Sequence, residues 1–409
     1  MKIMFITSSF GGGGITTYAH EVINCYGKDH ELSVVVGCQG DYKITSNYVR
    51  IHHLESDDLS INNGRTLLDI VYKDTPDVII NSNSKLASLI LPYIPDDITY
   101  VSVSHSLKYT EAEIAGLNAK YADTLIALSE YGKKYLEKRF SIRDVKKVIS
   151  ISNFSEPLEV DDKHARLIDN DFQIVFSGGS SPVKSPDLVA RILLMLLKSD
   201  LKFQFYWVGN TNMPLYRFSY LKDIKQLFPK DSRLHFTGRV SRSEAQMLSS
   251  TADVYIFPSR REGCPMSLLE ALSGGTIPFV ADYANANREI VEEMGIGQIL
   301  SNKHPQDFVH QLSLLIENRK ELIQVYSQIS AFYKMHYTYD VWSRKMTDLL
   351  QYAPRKHKKR TSTFSVLRFV FDRAILQFNI ARSHWMALFT ETLPAFFSLN
   401  RLYFKQKMK

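Results

Sequence analysis

The residues richest in possible chemistry lie between Pro258 and Leu272, in the run PSRREGCPMSLLEAL. A strand-like stretch, Asp253 to Phe257, feeds a tight polar loop. The loop feeds a helix that starts near Met266 and stops at Gly274 and Gly275, and the apolar run Thr276 to Val280 follows at once. Glu262 and Glu270 straddle the helix start. Unpaired N–H groups and a partial positive charge at a helix N-terminus suit a phosphate. Carboxylates beside it accept hydrogen bonds from sugar and ribose hydroxyls. The combination fits a nucleotide diphosphate sugar. Without its flanks the pair reads blandly, with Glu270 a solvated helix residue and Glu262 a loop charge.

The elements that must position this loop repeat a simple rhythm. Strands are expected near Ile3–Ser8, Leu32–Gly37, Val49–Leu54, Asp77–Asn81, Tyr100–Ser104, Thr124–Leu128 and Lys147–Ile151, with helices such as Ile15–Tyr26, Thr66–Lys73 and Glu130–Arg139 between them. A polar stretch from Glu156 to Asp171 breaks the rhythm. It restarts at Phe172–Ser177 and continues through Lys202–Val208, Arg233–Phe236, Val254–Phe257, Thr276–Val280 and Gln298–Leu300. Ser241 and Glu244 form a capping-box pattern at a helix start. Such alternation predicts open parallel sheets covered by helices, here two of them, which bind ligands at the carboxyl ends of their strands.

With its flanks, the loop resembles the E-x7-E signature of retaining GT-B glycosyltransferases of the group 1, family four type. The resemblance covers residues 1 to about 350. It implies an α/β protein of two facing Rossmann-like open parallel sheets with a C-terminal helical tail. The expected parts are an acceptor domain over 1–155, a donor-binding domain over 156–335, a crossover helix returning to the first domain over 336–354, and a basic amphipathic tail over 355–409. It implies that Glu262 holds hydroxyls of the donor hexose and Glu270 the nucleotide ribose. Arg260, Gly263, Pro265, Met266, Ser267 and Leu268 complete the expected donor-binding loop and first helical turn.

Three further segments match. Gly11 to Gly14 follow the first strand and let backbone N–H groups approach a phosphate or sugar closely. Gly13 and Gly14 stand at the family's glycine loop, and a turn needing positive φ is the plainer reading. His105 follows the strand Val101–Ser104, where the family carries a histidine that contacts sugar and acceptor. It is not assigned as a general base, because the family's front-face route has the leaving phosphate accept the proton. Ser177 to Pro186 resembles the loop G-R-x-x-P-x-K-G and places Lys184 on the lysine that meets the donor diphosphate. Gly179 stands where the family has arginine, which leaves a slower enzyme, a substitute such as Arg260, Arg261 or Arg239, or an inactive site. Asn153 resembles the asparagine that ends the first domain, a hinge residue, and Ser129 reads as a helix cap. The usual glycines are absent from Asp282–Glu289, so Glu289 is not counted in the site.

The 409 residues suit two or three domains. Three cysteines without a metal or redox pattern point to a reducing compartment. No signal peptide is expected, because the chain runs straight into a strand. The net charge of +7 is uneven: from Arg355 onward twelve Lys and Arg face only Asp372 and Glu391, so the tail carries +10 and the first 354 residues −3. Phe364, Leu367, Phe371, Ile375 and Phe378 recur at helical spacing after a basic block, Arg355–Arg360. Trp385–Leu399 is too short to span a bilayer. This predicts an in-plane anchor on an anionic membrane surface through residues 355–409, on the cytoplasmic, inner face of the cell membrane. A helix packed on the body or on a partner subunit is the alternative. Nucleic acid is disfavoured because no recognition motif accompanies the charge.

The expected activity is hexose transfer from a nucleotide diphosphate sugar to a hydroxyl of a saccharide or lipid-linked acceptor in cell-surface polysaccharide synthesis. No cofactor and no metal are expected. The rivals are a non-catalytic GT-B donor-binding or scaffold subunit and a nucleotide-sugar epimerase.

Overall fold

The structure is a computed structural model that describes residues 1–9, 13–38, 49–54, 56, 58–106, 109–142, 147–157, 171–212, 221–352, 359–361 and 363–407. Two compact units emerge. The first comprises Met1–Ser155, Glu262–Met266 and Tyr339–His384, and the second comprises Glu156–Arg261, Ser267–Thr338 and Trp385–Lys409.

The first unit holds β1 (Lys2–Ser9), α1 (Gly14–Asp29), β2 (Glu31–Cys38), β3 (Val49–His53), α2 (Ile61–Asp74), β4 (Val78–Ser82), α3 (Lys85–Ile90), β5 (Thr99–Ser104), α4 (Tyr109–Gly116), β6 (Thr124–Ala127), α5 (Glu130–Arg139) and β7 (Val148–Ser150). Its seven strands run parallel in the order β3-β2-β1-β4-β5-β6-β7. Strands β4, β5 and β6 are buried along their whole length, as expected of strands covered on both faces. Helix α2 starts at Ser60, whose side chain accepts the Asn63 N–H, and presses Leu67, Leu68 and Val71 inward. Ser129 caps α5 by accepting the Gly132 N–H at 3.1 Å.

The second unit repeats the plan with β8 (Phe172–Ser177), α6 (Pro186–Leu196), β9 (Phe203–Val208), β10 (Leu234–Gly238), α7 (Arg242–Thr251), β11 (Val254–Phe257), α8 (Met266–Ser273), β12 (Ile277–Ala281), α9 (Ala286–Met294), β13 (Gln298–Leu300), α10 (Pro305–Glu317) and α11 (Ile323–His336). The order β10-β9-β8-β11-β12-β13 is again parallel. Ser241 caps α7 through the Glu244 N–H at 3.2 Å. In both sheets the strand order reverses beside the first strand, at β1/β4 and β8/β11. Ligands of open α/β sheets bind outside the strand ends at such points. Residues 158–170 of the expected linker lie outside the described residues.

Three helices follow: α12 (Tyr339–Tyr352), α13 (Val366–Ala387) and α14 (Leu393–Lys407), the last two joined by a π turn, Leu388–Thr392. The stretch from residue 355 does not stand apart as one surface appendage. Residues up to His384 cluster with the first unit and those from Trp385 with the second. Arg355, Lys356 and Lys358 lie outside the described residues. Arg360, counted from sequence as a surface cation, is buried. Its guanidinium meets Asp123 Oδ2 at 2.8 Å and donates to the carbonyls of Tyr121, Pro95 and Ile98 at 2.8–2.9 Å. Phe369 joins the first unit's core with Leu67, Tyr100 and Leu125. A Cβ on Gly64 would meet its ring at 2.8 Å, so glycine admits the helix there. Burial of one such phenyl group contributes about 2–3 kcal/mol.

The expected apolar stripe is thereby corrected in part. Phe364 packs on the core, whereas Leu367, Phe371 and Phe378 are 86%, 65% and 69% exposed. The buried face of α13 is Phe369, Leu376 and Ser383, apart from that stripe, so only Phe364 departs from the expected outward face. Among the described residues no helix is long and apolar enough to cross a membrane.

Candidate active site

In the second unit, the loop leaving β8 carries Lys184 and the loop leaving β11 carries Arg260 and Arg261 near its start. Lys184 ends a short 3-10 turn, Pro182–Lys184. Its ammonium lies 4.4 Å from the centre of the Phe257 ring, at the end of β11, an attraction between cation and ring face. The Arg260 N–H donates to the Val183 carbonyl at 2.8 Å, which ties the first residues after β11 to the lysine turn.

Arg260 and Arg261, the candidate substitutes for the missing arginine, are both engaged. Arg260 meets Asp187 Oδ1 at 3.3 Å and the Glu391 carbonyl at 2.9 Å. Arg261 Nε meets the Glu391 carboxylate at 2.7 Å, and another N–H donates to Thr390 Oγ1 at 3.3 Å. Asp187 and Glu391 are buried. The π turn between α13 and α14 therefore holds both arginines. Gly179 sits at φ +57°, and a Cβ there would meet the Asn210 carbonyl oxygen at 2.6 Å. That backbone has no room for arginine, so its absence has a steric cause in this chain.

Glu270 is buried on α8 and pairs with Arg242 Nε at 3.6 Å. Leu268 is fully buried, so its side chain belongs to the core and only its N–H can face outward. Met266 is buried and Ser267 half-buried.

In the first unit, Gly13 adopts φ +95°, left of the α1 start, where its carbonyl accepts the Thr17 N–H at 3.0 Å. A Cβ at Gly13 or Gly14 would touch nothing within 4 Å. Gly11 and Gly12 lie outside the described residues. His105 follows β5 and is buried, with Nε2 2.8 Å from Ser82 Oγ and the Tyr18 ring edge-on at 4.9 Å. Burial lowers its pKa to about 3, so the ring is neutral near pH 7. That state suits hydrogen bonding without charge.

The loop 262–266 belongs to this same unit. A Cβ on Gly263 would meet the His105 carbonyl oxygen at 2.3 Å, so only glycine lets the two backbones touch. The Asn153 amide donates to the Cys264 carbonyl at 2.6 Å, fastening the loop a second time. Glu262 is half-buried and Pro265 buried. Thus Gly263 comes together with His105, Lys184 with Arg260, and Glu270 with Arg242.

Sequence reading missed Ser82, Asp187, Arg242 and Glu391. Asp187 lay in sight, three residues after Lys184. Glu391 gave no local sign, since 130 residues separate it from Arg261.

Comparison with known proteins agrees with this fold. Residues 159–330 match the family model for glycosyl transferases group 1. A glycogen synthase of Petrotoga mobilis is 27% identical over 120 residues, 29% of this chain and 23% of its own length. An N,N'-diacetylbacillosaminyl-diphospho-undecaprenol alpha-1,3-N-acetylgalactosaminyltransferase of Campylobacter jejuni is 30% identical over 93 residues, 23% of this chain and 24% of its own. The chain thus spans about a quarter of each of these two relatives. The structure of Anabaena Alr3699/HepE in complex with UDP superposes with a TM-score of 0.70 at 16% identity, over 86% of this chain and 100% of that one. The same Anabaena protein in complex with UDP-glucose gives 0.67 at 15% identity, over 86% and 99%. Two open parallel sheets give the chain the GT-B fold of these neighbours, and residues 159–330 are similar to group 1 glycosyltransferases.

Proposed function

We propose that this protein is a retaining glycosyltransferase. It moves a hexose from a nucleotide diphosphate to a hydroxyl of a glycan or lipid-linked acceptor in cell-surface polysaccharide synthesis. The observation that carries the reading is the loop between β11 and α8. It leaves the strand-order reversal of the second sheet, bears Glu262, and leads into a helix bearing Glu270, all within the family match. The Anabaena neighbour with UDP-glucose supports a nucleotide diphosphate hexose as donor. The undecaprenol-linked acceptor named for the Campylobacter relative supports a lipid-linked acceptor.

In this reading the first-turn N–H groups of α8 and Lys184 carry the diphosphate. Glu262 accepts hydrogen bonds from the hexose and Glu270 from the ribose. The bond from the anomeric carbon to the phosphate oxygen breaks as the acceptor oxygen bonds to the same face. The leaving phosphate oxygen takes the acceptor proton. Lys184 stabilises the charge that builds on the phosphate. His105, neutral and held by Ser82, hydrogen-bonds sugar or acceptor. No metal is needed for these steps.

The exposed strip of α13 rests on an anionic membrane surface at the inner face of the cell membrane, with the body cytoplasmic. The exposure of Leu367, Phe371 and Phe378 supports this part. Co-sedimentation with anionic vesicles that survives Phe371→Glu/Phe378→Glu would remove it.

The activity is tested with purified full-length protein and a panel of nucleotide sugars. One donor should raise the melting temperature and release nucleotide diphosphate with acceptor, and Glu262→Ala should cut turnover by about 10³-fold, roughly 4 kcal/mol of barrier. Equal turnover by Glu262→Ala would sink the assignment. The backbone packed against Gly179 favours one second reading, a donor-binding subunit without transfer. Donor-induced stabilisation with no nucleotide release for any acceptor would select it.

A further inference from the structure

Helix α13 presents three strips, since successive residues turn by about 100° around a helix. Phe369, Leu376 and Ser383 face the core. Leu367, Phe371 and Phe378 face outward. On the remaining side, Arg373, Ile380, Ala381 and His384 wall a groove of about 600 Å³. Its opposite wall is Asp58 and Leu59, from the loop that leaves β3, and Lys85, the first residue of α3 after β4, at the carboxyl end of the first sheet.

The groove joins apolar lining to two cationic side chains. Lys85 and Arg373 each bring a cation, and one Arg373 N–H donates to the Leu59 carbonyl at 3.0 Å, which holds the guanidinium against the opposite wall. Asp58 lines the groove too, and hydrogen bonds from Ser60, Ser56 and Asn63 hold its carboxyl below the usual range, so the described lining carries two cations and one anion. Leu59, Ile380 and Ala381 supply the apolar surface. Ala381 lies one turn from Phe378, and residues three apart are surface neighbours on a helix. The groove therefore opens onto the exposed apolar strip. An anionic head with a hydrocarbon chain matches this sequence of surfaces: head between Lys85 and Arg373, chain over Ala381 and out along Phe378. A free sugar would leave the floor and strip unused.

We propose that this groove holds the phosphate and the first part of the hydrocarbon chain of a lipid-linked acceptor. The inference deepens the transferase reading and rests on it for the word acceptor. The pocket combines loops of the first sheet with a helix that lies beyond the region matched by the family model, so the C-terminal stretch helps choose the substrate as well as meeting a surface.

The test titrates octyl phosphate, kept below its micellar concentration, into the full-length protein. Saturable one-site binding is expected, with octanol and inorganic phosphate each at least about tenfold weaker, about 1.4 kcal/mol. Lys85→Glu and Ala381→Trp should each weaken octyl phosphate at least about tenfold, while the nucleotide-sugar melting shift is kept, which shows that both variants fold. Equal binding of octyl phosphate by wild type and both variants would overturn the groove. So would binding confined to phosphatidic acid vesicles and indifferent to Lys85→Glu. If the two variants transfer sugar to a lipid phosphate acceptor with unchanged KM, the groove is wrong and the transferase reading stands. If octyl phosphate binding follows the variants but no nucleotide sugar turns over, the groove stands as an anionic-amphiphile site and the transferase reading fails.

Discussion

The two units treat their polar groups in opposite ways. In the first, His105 is dry, neutral and bonded to Ser82, and Arg360 is sealed against Asp123 and three carbonyls. In the second, Lys184, Arg260 and Arg261 are half-buried cations grouped around the loops of β8 and β11. Buried charge costs several kcal/mol unless it is matched locally, so the first unit uses its arginine to attach the C-terminal stretch. Partly exposed charge keeps its reach toward an anion, so the second unit is the one that offers cations at its loops. The C-terminal stretch touches both kinds of site. Arg360 anchors it to the first unit, and Glu391 holds the arginines of the second.

The comparison is broken first at Arg360. Arg360→Ala leaves Asp123 buried without its cation and should cost about 3–5 kcal/mol, read by urea unfolding, with donor KM unchanged in the protein that stays folded. A loss below about 1 kcal/mol would show that the attachment is not structural.

His105 gives the next largest effect. Its folded pKa is depressed to about 3 from 6.5. The unfolded chain therefore binds the extra proton between these values, and stability is full above pH 6.5 and declines as pH falls toward 3. Between pH 6.5 and 5 the loss from this group is about 2 kcal/mol. His105→Asn should remove that slope from the pH dependence of unfolding, and an unchanged slope would assign it elsewhere.

The smallest effect sharpens the second half of the contrast. Glu391→Gln keeps the shape of the π turn but removes the charge that holds Arg261. Donor KM should rise about tenfold, about 1.4 kcal/mol, with a smaller change in kcat and a melting temperature within a few degrees. Glu391→Asp should recover part of the KM. A fall in melting temperature without a KM change would make Glu391 a purely structural residue.

Much of this was legible along the chain. Each strand expected from the β-rich runs is present, several with the same limits, including Phe172–Ser177, Val254–Phe257 and Gln298–Leu300. The helix Glu130–Arg139 and its cap Ser129 were equally readable. Local signals suffice there, because a short apolar run between turn residues has few ways to satisfy its backbone inside a covered sheet. The glutamate loop was readable for the same reason: its parts are contiguous. The sides of α13 were not. It carries Leu367, Phe369, Phe371, Leu376 and Phe378 around much of its circumference, and periodicity cannot tell which apolar strip meets protein. Arg360 reads as a surface cation because a basic run normally stays in water, and the Asp123 carboxylate with the carbonyls of Pro95, Ile98 and Tyr121 reverses that preference.

By itself the sequence determined two parallel α/β sheets, the order of their elements and the loop that bears Glu262 and Glu270, since these depend on neighbours within a few residues. Tertiary structure alone decided that Gly263 rests on His105, that Gly179 has Asn210 against it, that Glu391 holds Arg261, and which strip of α13 stays open. The reason is physical: burial and pairing are properties of groups far apart in the chain, and their free energy exists only once the intervening residues have folded to bring them within a few ångströms.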